Sequence, residues 1–453
     1  MKGSLFSFAT VSSIICEGRP QAVIIPMEPI RSFVTLIHRV VVRRICRLYP
    51  SGKMAGPVCV LLLSLLPQGC ARPTVHEPVT LTLLDQEWTT KTFSEARQQE
   101  LQQFTRETGI HVKLLASPES PREQLAFWRE LLGTSASGPD VYGLDVIWPG
   151  MLAESFIDLK PYFANEMSAE FPAVAASYTV DNKLVALPYD ANIGLLYFRT
   201  DLLRRYGYRV PPQTWDELER MAARIQAGER AKGKKEFWGF VWQGAAVEGL
   251  TCDALEWQAS EGGGRIIAGD AAFMRSWPMA YVDSQATDSP IRNKFDITLL
   301  PAGKAGRVGT LGGVGLAVSR FSAHTNEALE LVRYLCSRKV QLERSRILSE
   351  PPTFPELYEL AGLREPNPRY AVLAQAFRTA VISRPSSVTG KNYQDVTDAY
   401  MQAVHSVLTG EKRALEAAAT LEKELVRITG FKTGPPSAGM SGTTVKERSG
   451  PVH

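Results

Sequence analysis

Carboxylate and histidine side chains are the groups in this sequence that could carry out catalysis. Asp145, Asp190 and Glu256 could serve as the acid and base of a sugar-cleaving enzyme, since glycoside hydrolases use paired carboxyl groups. The motifs of other catalytic classes are missing, because the sequence contains no G-x-S-x-G, no H-E-x-x-H and no P-loop. The histidines are scattered and have no evident base or ligand partner: His38, His76, His111, His324, His405 and His453. The sequence therefore argues against an enzyme and against a bound metal.

The charge of the chain is concentrated at its N-terminal end. The 453 residues include 51 Lys and Arg and 47 Asp and Glu, which is a net charge of +4. Residues 1–69 hold 8 of the basic and 2 of the acidic residues, which leaves 43 basic and 45 acidic residues in the remainder. A body that is close to neutral gives no electrostatic reason to expect a nucleic acid or an acidic membrane surface as partner.

The N-terminal residues have the composition of an export signal. A basic flank precedes a largely apolar run, Val58–Leu66, which is too short to span a bilayer. The small residue Gly69 before Cys70 resembles a lipoprotein processing site. We therefore predict a leader and signal peptide over residues 1–69, with Met54 as an alternative start. The mature protein is expected to be lipid-anchored at Cys70, with release into the periplasm as the alternative.

The pattern of apolar residues after the leader predicts alternating strands and helices. Strands are expected at Val79–Leu84, Ile110–Leu115 and Val141–Val146, with a helix between each pair. A β-α-β-α-β order predicts a doubly wound parallel sheet, in which ligands collect beyond the carboxyl ends of the strands. Asp145 and Trp148 fall at such an end, so the sequence predicts a ligand cleft there.

Polar residues between two later strands indicate a crossover between sheets. The strands are expected at Leu184–Pro188 and Gly194–Phe198, and a capping box of Thr214 and Glu217 begins the helix Trp215–Gln226. The remaining predicted elements are a solvated loop at Gly228–Lys235, strands at Trp238–Gly244 and Leu311–Ser319, and helices at Gly249–Gln258, Asn326–Arg338, Tyr393–Leu408 and Leu415–Ile428.

Some aromatic, charged and thiol side chains have plain structural interpretations. Trp215, on an amphipathic helix, and Trp238 are predicted to pack in the core. Glu256 is interpreted as a solvated or capping charge. Cys252 and Cys336 are predicted to be buried thiols rather than a disulfide, because their spacing does not support a bridge.

Seven short motifs occur in one order between about Val79 and Ile428. They are ALPY at 186–189, LLYFRTDLL at 195–203, PPQTWDEL at 211–218, WGFVWQG at 238–244, EGL at 248–250, AAFMRSWP at 271–278 and LGG at 311–313. The first three resemble the extracellular sugar-binding proteins of ABC importers, of the maltose-binding class. The last four narrow the resemblance to the trehalose/maltose-binding branch.

The resemblance implies an α/β fold of two lobes, the type II-like periplasmic-binding-protein fold. The lobes of such proteins are joined by hinge crossovers and close around the ligand. The implied N-terminal lobe comprises residues 70–188 and 306–348, and the implied C-terminal lobe comprises residues 189–305 and 349–430. A disordered tail is expected at residues 431–453, which are rich in Gly, Ser and Pro.

The resemblance also implies which residues line a sugar site between the lobes. Tryptophan faces suit the apolar face of a sugar ring, and carboxylates and arginine suit its hydroxyls, so no cofactor is expected. The implied ligand-binding residues are Asp145, Trp148, Tyr189, Asp190, Asn192, Trp242, Trp277, Gly312, Gly313 and Arg384.

Two departures from the family pattern concern affinity and stability. Val314 stands where close relatives carry a tryptophan, which removes one aromatic contact. Asp270 is followed directly by Ala271, where the family has a few tens of residues that carry helices of the second lobe. Buried apolar area stabilises a fold by roughly 25 cal/mol per Å². We therefore expect a shortened and less stable second lobe, or a truncated and non-functional copy.

These observations together predict the substrate-binding component of an ABC importer that captures a di- or oligosaccharide of the trehalose or maltose type. The expected partners are permease subunits with a separate ATPase, since the chain has no P-loop. The protein is expected to be a monomer in the periplasm or on the exterior of the cell envelope. A carbohydrate-active enzyme and a receptor for a non-sugar solute, such as a polyamine or iron, stay open as alternatives.

Overall fold

The computed structural model describes residues 78–85, 91–118, 121–133, 138–260, 271–365 and 367–433 of the chain. Residues 76–453 form one compact unit, and every described residue belongs to it. The predicted leader, Cys70, Asp270 and the part of the predicted tail beyond residue 433 lie outside the described residues. Within the described ranges, no helix has the length and apolar character needed to cross a membrane.

Short strands and helices alternate along the described chain. The strands are β1 (Thr80–Asp85), β2 (His111–Ala116), β3 (Val141–Asp145), β4 (Thr179–Val180), β5 (Lys183–Leu184), β6 (Leu187–Pro188), β7 (Asn192–Ile193), β8 (Leu195–Arg199), β9 (Trp238–Val241), β10 (Ala271–Ser276), β11 (Phe295–Leu299), β12 (Gly309–Gly312), β13 (Val314–Val318) and β14 (Val381–Ile382). The helices are α1 (Lys91–Thr108), α2 (Pro121–Gly133), α3 (Pro149–Leu152), α4 (Lys160–Met167), α5 (Pro172–Ser177), α6 (Thr200–Arg205), α7 (Trp215–Ala231), α8 (Glu248–Ser260), α9 (Ala280–Ser284), α10 (Thr325–Leu335), α11 (Arg338–Leu348), α12 (Ala361–Arg364), α13 (Arg369–Thr379), α14 (Ser386–Thr389), α15 (Tyr393–Leu408) and α16 (Ala414–Thr429).

The first lobe is built on a five-stranded sheet in the order β2-β1-β3-β13-β6. Strand β1 pairs in parallel with β2 and β3, whereas β13 runs antiparallel to β3. Helices α1 and α2 connect the parallel strands and bury Phe104 and Trp128 completely. The predicted β-α-β-α-β unit is confirmed, and each strand lies within one residue of its expected bounds.

The second lobe is built on a four-stranded sheet in the order β11-β8-β10-β9. Strand β8 runs antiparallel to both β10 and β11, while β10 and β9 are parallel. Trp215 on α7 is buried against Phe240 of β9, which confirms its structural role. The prediction that Trp238 packs in the core is wrong. Because β9 is an edge strand, the indole stays 51% exposed, with the guanidinium of Arg230 over its ring.

A three-stranded crossover sheet, in the order β14-β12-β7, contains the chain segments that pass between the two larger sheets. Asn192 of β7 lies opposite Gly312 of β12. The next residue, Gly313, has a φ of +131°, which breaks the predicted strand Leu311–Ser319 into β12 and β13. The predicted strand Leu184–Pro188 is likewise divided, into β5 and β6. The residue boundaries proposed for the two lobes stay a prediction.

Helix α7 begins at the predicted capping box but ends later than expected. The backbone N–H of Glu217 donates to Oγ1 of Thr214 at 3.3 Å, which satisfies a free donor at the helix start. The prediction of a solvated loop from Gly228 is wrong at that residue, because the helix continues to Ala231. Its last turn carries Glu229, whose side chain is completely buried beneath three cations. These cations are Arg205, Lys232 and Lys234.

The predicted C-terminal helices and thiols agree with the structure in most respects. Helices α15 and α16 match their expected bounds to within one residue, whereas the predicted helix Asn326–Arg338 ends early, at Leu335 of α10. A separate helix, α11, begins at Arg338, because the hydroxyl of Ser337 caps it by accepting from the N–H of Val340. Cys252 and Cys336 are buried free thiols, as predicted. Burial raises the pKa of Cys252 to about 12, so this thiol is unreactive.

A buried carboxyl group follows helix α4. Glu170 is 5% exposed, and neither of its carboxyl oxygens accepts a hydrogen bond of good geometry among the described residues, while Thr353 and Arg338 lower its pKa only in part. Burial raises the pKa of Glu170 to about 8, since the charged form loses its hydration on folding. The folded protein therefore keeps this carboxyl group protonated at neutral pH, whereas the unfolded chain does not.

We expect Glu170→Gln to remove part of the pH dependence of the folding free energy. Because the folded-state pKa is raised, this group makes the wild type less stable as the pH rises from about 5 to about 8. At about pH 8 the variant should exceed the wild type in stability by on the order of 4 kcal/mol, and this advantage should vanish near pH 4. Urea unfolding across this range measures the difference, with the exposed Glu422→Gln as control. Parallel stability curves for wild type and Glu170→Gln would contradict the assignment.

Candidate functional site

Three charged side chains from distant parts of the chain meet where the first sheet adjoins the crossover sheet. Asp145 ends β3, Glu248 begins α8 and Arg384 follows β14. Nη1 of Arg384 donates to Oε1 of Glu248 at 2.9 Å. Nη2 of Arg384 lies 3.6 Å from Oδ1 of Asp145. We call these three residues the cleft charge cluster.

Burial sets the electrostatics of the cleft charge cluster. Arg384 is only 6% exposed, and its Nη2 also donates to the carbonyl oxygen of Leu311 at 3.3 Å. A guanidinium at this depth costs several kcal/mol unless carboxylates and hydrogen bonds compensate it. Burial also raises the pKa of Asp145 above its ordinary value, against the opposing effects of Arg384 and the backbone N–H of Ile147. The carboxylates of Asp145 and Glu248 thus keep the arginine charged and in place.

Glu248 is the functional residue that sequence reasoning missed. Its Oε1 accepts from the hydroxyl of Tyr393 at 2.6 Å, and its Oε2 accepts from Oγ1 of Thr397 at 2.8 Å. Tyr393 and Thr397 are four residues apart on α15 and therefore share one helix face. Taken locally, an acidic residue at the first position of a helix indicates only a favourable interaction with the helix dipole. No local pattern in the sequence indicates that Glu248 contacts this face of α15.

Trp277 lies over the crossover strand β12. A Cβ atom placed on Gly312 would be 3.0 Å from Cζ3 of the indole and 3.4 Å from Cβ of Asn192. The benzo edge of the indole therefore lies close to bare backbone, and no larger residue fits at this glycine without displacement. The guanidinium of Arg275 lies 4.2 Å from the centre of the same ring. The structure thus brings together three of the implied site residues, Asn192, Trp277 and Gly312.

A buried ionic network lies beneath Trp277. The expectation that Glu256 is a solvated or capping charge is wrong, because this side chain is completely buried. Nε of Arg275 donates to Oε2 of Glu256 at 2.7 Å, and the backbone N–H of Thr310 donates to Oε1 at 2.8 Å. Asp253, one turn earlier on α8, lies 2.8 Å from the same Nε, and burial raises its pKa to about 7. The network joins α8, β10 and β12 under the indole.

Three other residues of the implied site are buried behind the cleft in this conformation. Trp148 is 1% exposed and packs within the aromatic core of the first lobe. The ring of Tyr189 lies between the guanidinium groups of Arg97 and Arg344, 4.4 and 3.3 Å from its centre. Asp190 is 2% exposed, and its Oδ1 accepts from a backbone N–H at 3.2 Å. Their contact with a ligand stays a prediction, whereas their packing within the lobe and crossover is evident.

The last two residues of the implied site have different surroundings. Trp242 is half-buried against the core of the second lobe, with its ring beside Gly244. Gly313 closely approaches the backbone of the first crossover segment, since a Cβ atom at this position would be 2.6 Å from the carbonyl oxygen of Asp190. Its positive φ and this close approach both require glycine.

A small cavity adjoins the cleft charge cluster. It has a volume of about 200 Å³ and is lined by Arg384, by Val146 and Ser177 of the first lobe, and by Leu311 and Ser386 on its other side. Binding pockets for small molecules typically measure about 300–1,000 Å³. This cavity is therefore smaller than a typical site for a small molecule.

Comparison with known proteins identifies the class to which this fold and site belong. The family model for bacterial extracellular solute-binding proteins matches residues 90–342. A probable ABC transporter-binding protein of Deinococcus radiodurans is 40% identical over 374 residues, which cover 72% of this chain and 89% of that relative. The chain belongs to the family of bacterial extracellular solute-binding proteins, and the relatives that it matches are substrate-binding proteins.

Solved structures confirm the two-lobed α/β fold. The maltose-bound MalE3 of T. maritima is 30% identical, with a TM-score of 0.69 over 77% of this chain and 100% of that chain. The GacH receptor of Streptomyces glaucescens, solved unliganded and with acarbose, is 21% identical, with a TM-score of 0.64 over 79% of this chain and 100% of that chain. At that lower identity the likeness concerns the fold alone.

We expect Glu256→Ala to lower the unfolding free energy by about 3–5 kcal/mol. The substitution removes a counter-charge from the buried Arg275 and leaves the N–H of Thr310 without an acceptor. Urea unfolding measures the loss, and Glu219→Ala at an exposed position of α7 should change stability by less than about 0.5 kcal/mol. A loss below about 1 kcal/mol in Glu256→Ala would mean that Asp253 alone neutralises the arginine.

Proposed function

We propose that this protein is the extracytoplasmic receptor of an ABC importer and captures an uncharged di- or oligosaccharide of the trehalose or maltose type between its lobes. One observation carries the proposal. The indole of Trp277 packs on Gly312, while the carbonyl of the preceding residue, Leu311, accepts from Arg384. An aromatic side chain and the arginine of the cleft charge cluster therefore contact neighbouring residues of the crossover strand β12.

This pairing suits the chemistry of a sugar ring. A pyranose has an apolar C–H face, which stacks on an indole, and a polar rim of hydroxyl groups. The side chain of Asp145 is 29% exposed and can accept hydrogen bonds from hydroxyls. The 3.6 Å separation between Asp145 and Arg384 is too long for a good hydrogen bond, which leaves both groups available to the same ligand hydroxyl.

The proposal includes a movement of the two lobes. The cavity beside Arg384 holds about 200 Å³, which is below the usual range for a small-molecule site. We infer that the sugar enters when the lobes open about the crossover strands β7 and β12 and is enclosed when they close. Gly313, with its positive φ, lies at the break between β12 and the first-lobe strand β13.

The nature of the sugar is inferred from the relatives and from one departure. The T. maritima relative, at 30% identity, was solved with maltose, which supports a ligand of that type. Val314, the residue that replaces an expected tryptophan, is 4% exposed and pairs with Asp145 across the first sheet. It offers no platform, so we infer fewer aromatic contacts with the ligand and a lower affinity than in relatives that carry the tryptophan.

The proposed partners and location follow from this role. A receptor without a nucleotide-binding motif needs permease subunits in the membrane and a separate ATPase. Membership of an extracellular family supports a site of action outside the cytoplasm. We propose that the protein is a monomer in the periplasm or on the cell-envelope exterior, and that Cys70 can carry a lipid anchor. No cofactor is required for this function.

A shortened second lobe is part of the proposal. The alignment with the Deinococcus radiodurans relative is 374 residues long. It covers 72% of this 453-residue chain, which is fewer residues than the alignment contains. The relative therefore has a few tens of residues without a counterpart here. Only residues 261–270 separate α8 from β10, which supports a loss within the second lobe.

Calorimetric titration of the full chain with maltose, trehalose, sucrose and glucose tests the proposed function. We expect saturable binding of one disaccharide and a rise in melting temperature with its concentration. Trp277→Ala and Asp145→Asn should each weaken binding about tenfold or more, because they remove the platform and a hydroxyl acceptor. Trp238→Ala is the matched control, since this tryptophan is exposed at the sheet edge.

The possible outcomes lead to different conclusions. A cooperatively folded protein that responds to none of these sugars would overturn the proposal and redirect attention to other solutes. A protein without a cooperative melting transition would identify a truncated, non-functional copy. Equal losses in Trp238→Ala and Trp277→Ala would place the sugar elsewhere.

A further inference from the structure

Glu248 interacts with protein groups through both of its carboxylate oxygens. Oε1 accepts from Nη1 of Arg384 at 2.9 Å and from the hydroxyl of Tyr393 at 2.6 Å. Oε2 accepts from Oγ1 of Thr397 at 2.8 Å. The side chain is 17% exposed. With three donors already bound, Glu248 acts on Arg384 and has little remaining capacity for a ligand.

The support for Glu248 extends to a second helix. Oγ1 of Thr397 on α15 lies 2.7 Å from Oγ1 of Thr251, one turn after Glu248 on α8. This contact and the bond from Tyr393 fix α8 and α15 to each other at the carboxylate. Arg384 is therefore held from one side by a preorganised acceptor and from the other by the carbonyl of Leu311.

The charges beside the cavity do not balance. Arg384 contributes one positive charge, while Asp145 and Glu248 contribute two negative charges within 4 Å of it. Arg384 is the charged residue among those that line the cavity, and the two carboxylates reach the cavity only through their contact with its guanidinium. A buried arginine alone would attract a phosphate or carboxylate, because its planar donors match those anions. With two carboxylates around it, the site repels them instead.

We propose that Glu248 is a specificity-determining residue, which holds Arg384 in place and leaves the cleft with one surplus negative charge, so that the cleft accepts uncharged sugars and rejects phosphorylated or acidic ones. The inference rests on the proposed function and narrows its ligand class. Glu248 acts through Arg384, and the selection is electrostatic. Neutralising Glu248 should therefore change the preference between a sugar and its anionic derivative.

The test compares trehalose with trehalose 6-phosphate, and uses sulfate as a probe that needs no sugar site. Wild type, Glu248→Gln and Glu154→Gln are titrated by calorimetry and thermal shift. Glu154→Gln removes the same charge from an exposed side chain that pairs with Lys391. Glu248→Gln should raise the affinity for trehalose 6-phosphate, relative to that for trehalose, about tenfold or more. Sulfate should raise the melting temperature of this variant. Glu154→Gln should leave the ratio as in the wild type.

The outcomes separate this inference from the proposed function. If wild type binds trehalose but Glu248→Gln gains no affinity for either anion, the role of Glu248 is overturned and the receptor stands. If no sugar binds to wild type, yet sulfate stabilises only Glu248→Gln, the charge selection stands and the sugar assignment fails. If Glu248→Gln does not fold, titration of the wild type still tests the inference. Equal affinity of the wild type for trehalose and for trehalose 6-phosphate would overturn it.

Discussion

A buried arginine at the junction of the two lobes constrains the structure around it. Arg384 is 6% exposed, so its charge is stable there only with carboxylates and carbonyls close by. Asp145 reaches it from the end of a first-lobe strand, and Glu248 reaches it from the first turn of a second-lobe helix. Neither lobe alone supplies both partners. The hydrogen-bonding part of the site therefore exists only in the assembled protein, which suits a ligand held between lobes.

The second lobe repeats this arrangement beneath the aromatic platform. Arg275 is completely buried, and the carboxylates of Asp253 and Glu256 lie against it. Glu256 also accepts the backbone N–H of Thr310, two residues before Gly312. The network therefore fixes the distance between β10, which leads to Trp277, and the strand on which the indole packs. Each side of the proposed sugar site depends on one arginine between two carboxylates.

Local sequence patterns predicted the positions of the strands and helices better than they predicted how deeply the side chains are buried. Apolar alternation and a capping box located the strands of the first sheet and the start of α7, because neighbours in sequence determine both signals. The resemblance supplied residue types for the site but not their depth, since Trp148 is 1% exposed in the first-lobe core and its contact with a ligand stays a prediction. Glu248 was missed and Glu256 was misjudged for a related reason. Their partners lie on other elements, and no local pattern records a pairing between Glu248 and Arg384, 136 residues apart.

The arginine networks also bear on the effect of a lost second-lobe segment. Glu256 and Arg275 lie on the elements that flank residues 261–270, and their hydrogen bonds are formed. One exposed apolar side chain of the second lobe lies at the edge strand β9, where Trp238 is 51% exposed and a groove of about 880 Å³ runs beside α7. Apolar area left uncovered there costs roughly 25 cal/mol per Å² of folding free energy. The loss of covering area at β9 removes no contact from Asp145, Arg384 or Trp277. A shortened second lobe should therefore reduce stability before it reduces affinity.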